Sequence, residues 1–75
     1  MFNLPVAPKN TDFTIARISK RLLGGEEALR QLSHLGFVKG AKISLVSEVN
    51  GNLIVKVRDS RVALGHKLAS AIYVN

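Results

Sequence analysis

The sequence predicts a mainly β fold, a small barrel of about five short antiparallel strands with one amphipathic α-helix between the first and second strands. Three observations carry this expectation. The chain has 75 residues, 47% of them hydrophobic and 21% charged, which supplies one core and leaves no room for a second domain. Its apolar residues recur at helical spacing in one clear stretch, Glu26 to Leu35, and at extended spacing through most of the chain from Gly40 to Val74. Parallel strands need crossovers of about a dozen residues or more, and the intervals between these strands are shorter. The rival packing is an open three-stranded sheet with the helix laid across it.

Residues 1–12 carry both prolines and then the polar run Lys9-Asn10-Thr11-Asp12, which reads as an irregular lead-in with Leu4 and Val6 tucked against the body. Phe13 to Ile18 alternates well enough for a first strand. Gly24-Gly25 breaks the chain before the helix. Ala28, Leu29, Leu32 and Leu35 form the helix's apolar face, Glu26 and Glu27 suit its positive N-terminal end, and Gly36 suits a left-handed exit. The polar face carries Glu27, Arg30, Gln31 and His34, with Glu26 spaced to support Arg30 at i,i+4.

From Gly40 the period becomes extended. Ile43, Leu45 and Val49 are expected on one side of a strand, with Val46 marking a bulge. Asn50-Gly51 has the chemistry of a two-residue hairpin turn, because both positions of such a turn need positive φ. Leu53, Val55 and Val57 then face inward, and Ile54, Lys56 and Arg58 outward. Asp59-Ser60 reads as a second turn, Arg61 to Leu64 as a strand, Gly65 to Ser70 as a single helical turn and Ala71 to Val74 as the last strand. Phe13 and Phe37 read as core, and Tyr73 as a residue on the outer side of its strand.

The absence of Cys excludes disulfides, cysteine nucleophiles and Cys-based metal sites. With two His and five carboxylates in no recognisable catalytic spacing, the chain reads as a non-enzyme. His34 and His66 read as surface histidines; they are also the metal candidates, each with a carboxylate such as Glu27 or Glu48. No tightly bound cofactor is expected. Gly24-Gly25 lacks the remainder of a phosphate-binding loop and reads as a helix-start break. No basic-then-apolar leader opens the chain and no run approaches the about 18 apolar residues of a membrane span, so a cytoplasmic protein without membrane insertion is expected. The net charge of +6 calls for an anionic partner: nucleic acid, anionic lipid or an acidic protein surface. Lys39, Lys42, Lys56, Arg58 and Arg61 supply a basic surface, but one without interleaved aromatic rings, so specific nucleic-acid recognition is not expected.

Leu32-Ser33-His34-Leu35-Gly36-Phe37-Val38-Lys39-Gly40, followed by Lys42-Ile43-Ser44-Leu45-Val46, resembles the signature of the FeoA family, ferrous iron transport protein A. Arg30, Leu32, Leu35, Gly36, Phe37 and Gly40 match the first part of the family pattern; Arg61, Ala63, Leu64, Ala69 or Ala71, Ile72 and Val74 match its close. The likeness runs from about Leu4 to Val74. The chain departs from the pattern at Asn10 and Ser60, where the family commonly has Gly; Asn is the non-Gly residue that best tolerates left-handed backbone.

The resemblance implies an SH3-like barrel and a cytoplasmic accessory of the membrane Fe(II) permease FeoB, with iron meeting this chain only transiently. The same domain type ends metal-dependent transcriptional repressors. Two further classes stand beside this reading: a nucleic-acid-binding barrel and a direct transition-metal binder. Candidate partner-contacting residues are Arg30, His34, Lys39, Lys42 and Arg61, with Gly36, Gly40 and Gly51 as structural turns.

Overall fold

The computed structural model describes residues 1–75. The strands are β1 (Phe2–Asn3), β2 (Asp12–Ile18), β3 (Lys42–Val49), β4 (Asn52–Val57), β5 (Ser60–Gly65) and β6 (Ile72–Val74). They form one sheet in the order β1-β6-β2-β3-β4-β5, every neighbour antiparallel. Three helices accompany them: α1 (Lys20–Leu23), α2 (Glu26–His34) and α3 (His66–Ser70), with a 3₁₀ turn at Leu4–Val6. This is the mainly β, SH3-like architecture expected, with one strand more at the N-terminus.

β2 makes the sheet curl. Its first half, Asp12 to Thr14, pairs with β3, and its second half, Ile15 to Ile18, pairs with β6 across a bulge between Ile15 and Arg17. A bulge bends and twists its strand, so β2 passes from one leaf to the other without breaking. Gly40 N–H donates to the Ile15 carbonyl at 2.8 Å and Ile15 N–H donates to the Ala41 carbonyl at 2.9 Å, satisfying the backbone at that corner. Inside the curl Leu4, Ile15, Leu32, Phe37, Ile43, Leu45, Leu53, Val55, Val57, Leu64, Ile72 and Val74 make an aliphatic core around one phenylalanine.

The end of α2 is set by local chemistry. Phe37 N–H donates to the Leu32 carbonyl and Gly36 N–H to the Ser33 carbonyl, both at 3.0 Å, with Gly36 at φ 103°. This is a Schellman closure, and it brings Phe37 into the core over Leu32. The same closure corrects the expectation for Leu35. As the capping residue it lies at the rim, 49% exposed, whereas Phe37, read as core, is fully buried.

Other expectations also change. The lead-in is not irregular throughout, since β1 pairs with β6 and the 3₁₀ turn comes directly after it. Ala7 rather than Val6 is buried, because the turn points Val6 to solvent at 67% exposure. Phe13 is half-buried, packing on the core's edge with its ring edge-to-face against Phe2 at 5.3 Å. Val49 is exposed. The register slips between Leu45 and Ser47, so Val46 is the extra residue and every position beyond it changes side, placing Val49 opposite exposed Asn52.

α1 carries no sequence expectation; it is a single turn, capped by Ser19 Oγ accepting from Leu22 N–H at 3.3 Å and closed by Gly24 at φ 93°. The turn expected at Asp59-Ser60 falls one residue earlier, at Arg58-Asp59, because Val57 pairs with Ser60.

Candidate functional site

β3, β4 and β5 place polar residues in a cross-strand row that begins on β2. Asp12 pairs with Ser44, Ser44 with Lys56 and Lys56 with Arg61, so four strands in succession present these side chains on one face. Lys42 lies two residues along β3 from Ser44 and hence on the same side. Arg58 and Asp59, in the turn beyond Lys56, complete a shallow groove of about 310 Å³ whose lining has Ile43 as its one apolar member.

The groove's charges lack internal partners. The molecule's ion pairs are Lys20 with Glu26 at 3.0 Å and Arg30 with Glu27 at 3.2 Å, both exposed and remote in sequence from the row. Lys42, Lys56, Arg58 and Arg61 therefore form no ion pair, and Asp12 and Asp59 share the groove's lining with the first three. Lys56 stands directly opposite Arg61, an arrangement that opposes pairing on a sheet surface. Arg58 has φ 56°, a conformation that bulky side chains rarely adopt. Its side chain extends to the end of α2, where a Cβ placed on Gly36 would stand 3.0 Å from Arg58 Nε.

The five expected partner-contacting residues divide between two places. Lys42 lines the groove and Arg61 continues its row. Arg30 is on α2 and is engaged by Glu27 at i,i+3, not by Glu26, which Lys20 takes. His34 ends α2 and Lys39 is in the loop after it, both exposed. Gly40 and Gly51 have φ 90° and 81°, as turn positions require. His66 opens α3 and is exposed, and no three of the chain's His, Asp and Glu side chains converge as a metal cluster. Asp12, Ser44 and Asp59 are groove residues that no sequence motif marks. Only the pairing of β2 with β3 and the true position of the second turn bring them in. Tyr73 is half-buried, with the Arg17 guanidinium 4.6 Å above its ring, so it offers no open platform for a base.

A small SH3-like barrel with one cationic sheet face and no helix long and apolar enough to cross a membrane is the class that the fold and site define. The FeoA domain model matches residues 2–75, and the chain belongs to the FeoA domain family. Solved structures agree. An iron uptake regulatory protein (FeoA) is 27% identical, with 99% of this chain and 93% of that one covered at a TM-score of 0.81. The zinc complex of Stenotrophomonas maltophilia FeoA, described as a prokaryotic SH3 domain protein, is 27% identical, covering 100% and 91% at 0.83. A manganese-dependent transcriptional repressor is 26% identical; 96% of this chain matches 39% of that one at 0.81. No curated protein matches.

Proposed function

We propose that this chain is a non-enzymatic accessory of ferrous iron transport that acts by docking on the cytoplasmic portion of the membrane Fe(II) permease FeoB. The observation that carries the reading is the FeoA domain match over residues 2–75 in a chain whose surface cations have few internal partners. The S. maltophilia relative, described as a candidate activating factor of bacterial ferrous iron transport, supports the same assignment. A rigid barrel with unpaired Lys and Arg side chains suits electrostatically steered encounter with an acidic protein surface. Ferrous iron is the permease's cargo in this reading, and no resident metal or catalytic group is assigned to the chain.

The test is capture of the tagged chain with FeoB from crosslinked native membranes, alongside Fe²⁺ uptake in cells that depend on this route. Co-purification that weakens as salt rises, together with impaired uptake on deletion, is expected. Failure of the wild-type chain to co-purify after crosslinking rejects docking.

A further inference from the structure

We propose that the groove lined by β2, β3, β4 and the Arg58-Asp59 turn, together with Arg61 beside it on β5, is the docking surface, and that its occupant is an extended protein segment carrying acidic side chains, held by Lys56, Arg58 and Arg61. The proposal rests on the docking reading above and adds to it the surface and the chemistry of the partner.

Three observations converge. First, the row concentrates cations that the fold itself does not need. Outward positions on an exposed sheet accept most polar residues, yet Lys56 is set against Arg61 with no carboxylate joined to either. An incoming carboxylate between them converts that repulsion into two attractions. Second, Arg58 occupies a left-handed position that Asn or Gly would fill with less strain. The bare Cα of Gly36 leaves room for the Arg58 side chain at the end of α2. Third, β5 ends the strand order, so an extended segment can lie beside it with alternate side chains next to Arg61, the member of the row nearest that edge.

The groove's remaining lining selects among anions. Asp12 and Asp59 stand in it beside the cations, a mixed pattern that repels a continuous phosphate backbone and suits spaced carboxylates. The exposed apolar side chains Met1, Val6, Leu22, Leu35, Val38 and Val49 all lie outside the lining, so the groove offers nothing to insert into a lipid surface.

The probe is a fluorescein-labelled peptide of alternating Glu and Ser, titrated against the full chain at about 50 and 150 mM NaCl. The matching Gln-Ser peptide, single-stranded DNA of equal charge and phosphatidylglycerol vesicles are compared with it. Saturable binding of the Glu-Ser peptide is expected, weakening at the higher salt. Lys56→Glu and Arg61→Glu should each reduce it by about tenfold, while R21E/K67E, which changes charge elsewhere, should leave it within about twofold. Because each single reversal places opposite charges across the β4–β5 pair, melting temperatures should hold or rise, separating lost binding from lost folding.

Absence of saturable Glu-Ser binding, equal binding of the Gln-Ser peptide, undiminished binding by Lys56→Glu and Arg61→Glu, or tighter binding of DNA or vesicles through the same residues would each overturn the proposal. Undiminished FeoB capture by both variants would reject the groove and leave the docking reading standing. No capture of the wild type would reject the docking reading itself.

Discussion

The two hairpin turns of the β3–β4–β5 meander do the same geometric task with opposite chemistry. At the first, Asn50 and Gly51 take φ 52° and 81° and connect Val49 to Asn52. Both residue types enter left-handed backbone readily, so the turn is spelled by local preference. At the second, Arg58 and Asp59 connect Val57 to Ser60, and the positive φ of 56° falls on a long cationic residue. Pairing of Leu53, Val55 and Val57 with Leu64, Val62 and Ser60 imposes this register, and the turn residues conform to it. One turn thus helps to define its hairpin, whereas the other is held by its strands and leaves its residues free to serve a surface.

Substitutions can break this contrast in graded steps. The largest effect is expected at Gly36, against which the Arg58 side chain packs. Gly36→Val should destabilise the domain by about 1–3 kcal/mol, chiefly because φ 103° is strained for a β-branched residue and secondarily because Arg58 must move. Denaturant melts with an unchanged slope and a lowered midpoint would register it, and equal midpoints would contradict it.

Gly51→Ala comes next, with a loss of about 1 kcal/mol measured the same way. Nothing lies within 4 Å of the added methyl group, so the backbone strain acts alone. Arg58→Asn should act in the opposite direction, raising stability by about 0.5–1 kcal/mol, since Asn relieves the left-handed strain at φ 56°. A destabilised Arg58→Asn would show that the arginine's packing at the end of α2 outweighs its backbone strain. The smallest change is expected from Lys56→Glu, a gain of about 0.2–1 kcal/mol from converting a like-charge cross-strand pair into an opposite-charge one. That gain should shrink in high salt, and a salt-independent change would point to packing instead.

Several elements were legible because their signals are local. The α2 helix combines acidic residues at its start, apolar spacing through Leu32 and a glycine just beyond its end, and each acts within a few residues of itself. Val46 was legible as a bulge, but its consequence for Val49 was not, because a shift in register reverses every side chain beyond it. α1 was not legible, since one helical turn has no periodicity to detect, only a cap at each end. In the candidate site, Lys42, Lys56, Arg58 and Arg61 could be read as outward cations, while Asp12, Ser44 and Asp59 could not be joined to them.

By itself the sequence determined the single core, the antiparallel meander, the Asn50-Gly51 turn, the Gly36 exit from α2 and the FeoA resemblance, because hydrophobic period, turn chemistry and ordered motifs are carried by residues near one another in the chain. Tertiary structure alone decided which strands adjoin outside that meander, the passage of β2 between the two leaves, and the row from Asp12 to Arg61. Those depend on register between segments far apart in sequence, and register is settled by which pairing buries the whole core at once rather than by the preference of any one residue.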